Sequence, residues 1–135
     1  MWLLASAGCG AHGPVATLDV GGHAVEAEIV ATEQERMRGL MYRDSMPADH
    51  GMLFVYPGEK VRGFWMKDTR IPLSIAFADR HGTIVWIADM NPLDTRSTSS
   101  VVPAMYALEM NQGWFASHDV QRGDKIGKLP SIEAE

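Results

Sequence analysis

Many short strand-like runs at close spacing, with only two short helical patterns, predict a mainly β protein: a compact single-domain β-barrel or sandwich-like fold with one or two short helices. Two further observations support that class. Val25, Ala27 and Ile29 alternate with Glu26 and Glu28, the period of a strand with one buried and one wet face. The 135 residues are 46% hydrophobic and 21% charged, enough to bury one core but not two. Residues 1–14 read as a signal-type segment and spacer, 15–128 as the folded domain and 129–135 as a tail.

The elements follow from local chemistry. Val15–Val20 and His23–Val30 are β-branched runs separated by Gly21-Gly22, a hairpin with a primed turn. Thr32 and Glu35 make a T-x-x-E capping box that opens a short helix. Its apolar stripe is Met37, Leu40 and Met41, with Gly39 inside the helix costing about 1 kcal/mol relative to Ala. Met52–Tyr56, Val61–Lys67, Leu73–Asp79 and Thr83–Asp89 read as four strands. Pro57-Gly58 turns the first into the second, and residues 79–82 turn the third into the fourth. The polar stretch Asn91–Ser100, with Pro92, reads as a mobile loop. Met105–Met110 is a strand, Gly113–His118 one helical turn and Lys125–Gly127 a last short strand, after which the chain is expected to fray.

The net charge of −5 argues against nucleic acid as a partner, because no broad basic face is available for phosphates. One segment differs. Residues 36–70 carry seven Lys and Arg against four Asp and Glu, a local +3 that leaves −8 for the rest. Such a patch favours a small anionic ligand, although solvated charges on strand edges are the plainer account. Cys9 is the only cysteine, so neither a disulfide framework nor a cysteine zinc site is available, and no cofactor is indicated. The histidines never fall at H-x-x-x-H spacing, and neither a G-x-S-x-G elbow nor a Walker loop is present.

The first nine residues, MWLLASAGC, place small residues directly before Cys9, after a short apolar run. The arrangement resembles the end of a bacterial lipoprotein signal, with Cys9 as the lipidated residue. Ser6, where Leu or Val is usual, and the lack of a preceding cation depart from that pattern. The expectation is export to the periplasm or cell surface, with Cys9 holding the protein at the membrane.

FWMKDTRIPL, from Phe64 to Leu73, is the densest cluster of unusual residues. Together with Gly39-Leu40-Met41 and Gly51-Met52-Leu53-Phe54 it resembles the DUF192 family, a set of small bacterial and archaeal domains of unassigned biochemical role. The resemblance runs from about Ala31 to Ile126 and includes Arg36, Arg43, Trp65, Lys67, Thr69, Leu108 and Glu109. It implies a small β-rich domain of a kind often exported. Asp68 and Ser74 depart from the Asn and Asp frequent at those positions, so a mechanism resting on a carboxylate at residue 74 would be absent here.

Alternation places Phe64 and Met66 on a core face and Trp65 and Lys67 on the opposite one. Glu109 is the one carboxylate in an apolar strand and, once buried, requires a partner, for which Lys67, Arg43 and Arg36 are the candidates. The plainer reading makes that pair a register-fixing salt bridge and Trp65 a core residue. The sharper one makes Trp65, Lys67, Thr69, Arg43 and Glu109 the contacts of a small polar or anionic ligand. Three functions follow: an envelope-associated binding module, a hydrolase or lyase on envelope carbohydrate with Glu109 and Lys67 as acid and base, or a scaffold that docks an envelope protein.

Overall fold

The computed structural model describes residues 13–135. Cys9 and the signal-like segment lie outside the described residues. The domain is built on one curled seven-stranded sheet, a half-barrel. Its strands are β1 (Val15–Val20), β2 (His23–Val30), β3 (His50–Lys60), β5 (Leu73–Ala78), β6 (Ile84–Met90), β8 (Ala104–Asn111) and β9 (Ile126–Gly127). A two-stranded ribbon joins β4 (Gly63–Phe64) to β7 (Thr98–Ser99). The helices are α1 (Glu33–Arg38) and α2 (Trp114–Ser117).

The sheet order is β6-β5-β8-β3-β2-β1-β9, and only the β2–β3 pair is parallel. One end of the curl is laced shut. Ile84 N donates to Asp124 O, Gly123 N to Ile84 O (both 2.8 Å), and Ile126 N to Gly82 O (2.8 Å), bringing the start of β6 against β9.

Both faces of this sheet are buried, and each carries its own core. Inside the curl lie Leu18, Val25, Ala27, Leu53, Ala76, Leu108 and Met110, with Trp114 and Phe115 of α2. On the outer face, Met52, Phe54, Leu73, Ile75, Phe77 and Ala107 are covered by Leu40, Met66 and Ile71 from the irregular segments. Period-two geometry makes the division: Tyr106, Leu108 and Met110 of β8 point inward, while Ala107 and Glu109 point to the outer layer.

Several local expectations hold. The capping box closes, with Glu35 N donating to Thr32 Oγ1 (3.1 Å) and Thr32 N to Glu35 Oε1 (3.2 Å). Backbone donors at the N-cap outweigh desolvation and hold the Glu35 carboxyl below its ordinary pKa. Others are corrected. Pro57-Gly58 makes no turn; β3 runs through it to Lys60, beyond the register irregularity after Val55, because strand-edge positions tolerate a missing donor. α1 stops at Arg38, and Gly39 is its C-cap at φ +47°, a conformation only glycine adopts without strain. The expected stripe is therefore broken: Leu40, past the helix, is buried, while Met37 is 66% exposed. The strand over 61–67 shrinks to Gly63–Phe64.

Two segments expected to be loose are tied down. In 91–100, Asp94 O accepts from Met66 N (2.8 Å), Leu93 N donates to Thr69 O (3.0 Å), and Thr98–Ser99 pairs with β4. In the tail, Leu129 and Ile132 pack on the inner core, and Glu135 N donates to Ala31 O (2.9 Å).

The lacing depends on Gly82, at φ +82°, where an added Cβ would stand 2.5 Å from Ile126 O. Gly82→Ala is expected to lower stability by more than about 1 kcal/mol, from left-handed strain together with a displaced closing strand. Gly58→Ala, with nothing within 4 Å of the new methyl, is the control and should be close to neutral. Urea titrations of both variants measure the difference.

Candidate functional site

The outer core opens to the surface beside α1. A cleft of about 490 Å³ lies between α1, the end of β3 and β4, with Glu109 among its lining residues and Phe54, Phe64, Trp65 and Tyr56 on its walls. Glu109 stands opposite Met52 on β3 and Ile75 on β5, so its flanking neighbours at that level are apolar. It is 4% exposed, and its carboxyl makes no hydrogen bond or ion pair among the described residues. Burial alone pushes its pKa up to about 8, so the neutral acid prevails at neutral pH.

The cations around it are held by main chain. Arg36 donates through Nη1 to Ala31 O (2.7 Å) and Val55 O (2.9 Å), and through Nη2 to Glu135 O (2.5 Å). Arg62 donates from Nε to Ala104 O (3.1 Å) and from Nη2 to Gly58 O. Its backbone is clamped in turn by Ser100, which is fully buried: Arg62 N donates to Ser100 Oγ and Ser100 N to Arg62 O, each at 2.8 Å.

Both guanidinium groups sit over the Tyr56 ring, with their Cζ atoms 4.5 Å (Arg36) and 3.8 Å (Arg62) from its centroid, a cation–π arrangement. Burial raises the Tyr56 phenol above its ordinary pKa against the opposing pull of the two arginines, and burial lowers that of Arg62. Arg38 and Lys60 also line the cleft, and neither side chain has an acceptor among the described residues.

The sequence-derived site is therefore half assembled. Trp65, Thr69 and Glu109 line one cleft. Trp65 is not core, since it is 47% exposed on the rim. Thr69 is buried and spends its hydroxyl on Lys67 O (2.9 Å), which fixes the turn below the rim. Lys67 does not line the cleft; its ammonium lies 5.3 Å from the Trp65 ring on the solvent side. Arg43 is engaged elsewhere in a bidentate pair with Glu28. None of the three candidate partners reaches Glu109: Arg43 is held by Glu28, Arg36 by carbonyls, and Lys67 by the reversal of the chain after β4. Ser74 belongs to a separate network on the inner face, donating to Asp89 Oδ1 (2.6 Å) and accepting from Gly113 N (2.9 Å).

The polar and charged residues missed from the cleft include Arg38, Tyr56, Lys60 and Arg62. Arg62 was legible as a core-side residue by its alternation with Phe64 and Met66, but the supposed turn at Pro57-Gly58 hid the adjacency of Tyr56. Among the described residues, no group of three or more His, Cys, Asp or Glu is placed to hold a metal ion.

A curled sheet buried on both faces, with one basic cleft on its outer layer, defines a small β-rich half-barrel domain. The chain belongs to the DUF192 family, whose model, described as an uncharacterised ACR, matches residues 16–127. A crystal structure from Sinorhizobium meliloti 1021, described as a candidate transcription regulator, is 34% identical over 82% of this chain and 88% of that one, with a TM-score of 0.76. A protein of unknown function from Novosphingobium aromaticivorans DSM 12444 is 30% identical over 83% and 84%, with a TM-score of 0.80. No curated protein matches the chain.

The elevated Glu109 pKa has a sign that can be tested. Its folded value near 8 exceeds the reference 4.5, so the folded protein retains a proton that the unfolded chain releases between those values. Stability is then fullest below about pH 4.5 and falls as pH rises towards 8, by at most about 1.4 kcal/mol per pH unit from this group. Glu109→Gln, which keeps a neutral polar group of the same shape, should flatten that part of the profile. Thermal melts from pH 5 to pH 8 check it, and parallel slopes in both proteins would show that Glu109 is not the buried acid described.

Proposed function

We propose that the protein is an envelope-associated module that binds a small anionic ligand in the cleft above Glu109. One observation carries the reading: four cationic side chains, outnumbering the acidic Glu33 and Glu135, line one cleft whose floor is an unpaired, buried carboxyl. Arg36 and Arg62 are pre-positioned by backbone carbonyls, which limits the ordering cost of binding. Aromatic walls and a few converging polar groups are the usual make-up of small-molecule sites, and the volume falls within their usual range. Trp65, Arg36, Arg62, Lys60 and Glu109 are the proposed contacts. The overall charge of −5 supports a small ligand over the nucleic acid that the Sinorhizobium relative's description would suggest. The envelope address rests on the lipoprotein-like run ending at Cys9.

A second reading, a hydrolase or lyase acting on envelope carbohydrate, is favoured by Glu109 itself. A buried neutral acid open to a cleft suits general acid catalysis. The partner base assigned from sequence, Lys67, lies outside the cleft, so the acid–base pair is incomplete and binding is the stronger reading.

The side chains of Arg38 and Lys60 make no hydrogen bond or ion pair among the described residues, so Arg38→Ala and Lys60→Ala should leave the unliganded melting temperature within the range of neutral surface changes. A thermal-shift panel of carboxylates, phosphates and acidic sugars should give a hit worth about 2.7 kcal/mol at 100 times Kd. The shift should shrink in both variants; an undiminished shift there and in Arg62→Met would remove the ligand from this cleft. For the address, full-length protein expressed in a bacterium should sediment with membranes and incorporate labelled fatty acid, and Cys9→Ser should do neither.

A further inference from the structure

The geometry of the cleft floor points to the chemical class of the ligand, an inference that rests on the binding role proposed above. Glu109 is 4% exposed, lines the cleft and is bonded to nothing among the described residues. Among the described residues no fully buried side-chain oxygen or nitrogen lacks a hydrogen-bond partner, so the unbonded carboxyl oxygens of Glu109 open onto the cleft, where an acceptor can reach the acid hydrogen. The nearby cations do not relieve Glu109, because Arg36 and Arg62 are both turned to backbone carbonyls and stacked on Tyr56. Arg62 Nη1 has no acceptor among the described residues. An acid with a hydrogen to give and guanidinium groups with N–H to give thus line the same space, and a single acceptor group serves them all.

We propose that the ligand is an apolar-bodied carboxylic acid, bound as its carboxylate, with one oxygen accepting the hydrogen of a protonated Glu109 and the other accepting from the guanidinium pair over Tyr56. A planar two-oxygen head fits an acid on one side and a guanidinium fork on the other. The body then runs towards the rim along Phe64, Trp65 and Met37, of which Trp65 is 47% and Met37 66% exposed. An ionised Glu109 would repel the same head, so binding and protonation of Glu109 are linked.

The groups facing this floor come from every packed element: Glu33, Arg36 and Arg38 from α1, Tyr56 and Lys60 from β3, Arg62 from the segment after it, and Glu135 from the tail. β5 contributes only Ile75 at the level of Glu109. Burial places the Glu109 pKa at about 8, inside the accessible range, while the Tyr56 phenol is raised above 10.

The test is calorimetric titration of the intact protein with benzoate, phenyl phosphate and benzamide from pH 6 to pH 9.5, with Glu109→Gln alongside. Benzoate is expected to bind at pH 6 and to weaken about tenfold per pH unit above pH 8. At pH 9 its binding heat should depend on the buffer, reporting uptake of nearly one proton per site. The profile of Glu109→Gln, whose amide donates without titrating, should be flat, and benzamide should bind poorly. Equal benzoate affinity at pH 6 and pH 9, or the same decline in Glu109→Gln, overturns the protonated-acid contact while leaving an anion site in place. Binding of phenyl phosphate without benzoate overturns the carboxylate class alone. Benzamide binding as well as benzoate, or no probe binding at any pH, overturns the anion-binding role together with this inference.

Discussion

The structure depends on β8 being buried on both faces. It lies between β5 and β3, with Leu108 and Met110 in the inner core and Ala107 in the outer one, so it has no wet side on which to carry a charge. A strand in that position normally reads as a continuous apolar run. Glu109 breaks the run. Removing an ionised carboxylate from water costs several kcal/mol, and the protein meets this constraint by keeping the group protonated instead of pairing it. The absence of a salt bridge and the presence of the cleft are thus two sides of one arrangement.

The same economy governs the cations. Arg36 and Arg62 would repel one another if free, yet both are drawn onto Tyr56 and tied to carbonyls at the irregular end of β3. The irregularity after Val55 leaves carbonyl groups without ladder partners, and guanidinium N–H groups occupy that role. Ser100 carries the arrangement across to the 91–100 segment, which is why that polar stretch is hydrogen-bonded in place. A local fault in the ladder is what collects positive charge at one point on a domain that is negative overall.

Much of the fold was legible because it rests on short-range patterns. Period-two alternation marked β2 and β8, while apolar and β-branched runs bounded by turn residues marked β1, β5 and β6; Gly21-Gly22 marked the hairpin; Thr32 and Glu35 marked the helix start. What failed were features decided by tertiary contacts. Pro57-Gly58 has the composition of a turn but lies in a strand whose edge has room for proline. The tail after Lys128 looks polar and short, yet Leu129 and Ile132 find an apolar surface that periodicity cannot reveal. For the site, Glu109 and Trp65 stood out because a carboxylate in an apolar strand and a tryptophan on the wet face are anomalies. Lys67 and Arg43 were no different in type from Lys60 and Arg62, and only the path of the backbone chooses between them.

The position of β8 in the sheet also has a consequence for when the molecule can form. β1–β2 and β5–β6 are hairpins between neighbours in sequence and need no distant chain to assemble. β3 and β5 belong to one sheet only through β8, whose partners lie some tens of residues upstream of it. Until residue 111 has left the ribosome no strand pairs with both halves, which can meet only through contacts such as Glu59–Arg80 and Phe64–Phe77, and β3 and β5 each expose an apolar edge. Closure over such long separations is slow. The nascent chain therefore passes through a stage in which two of its most apolar strands are paired on one edge only, and any factor that shields unfolded chains has its main opportunity then.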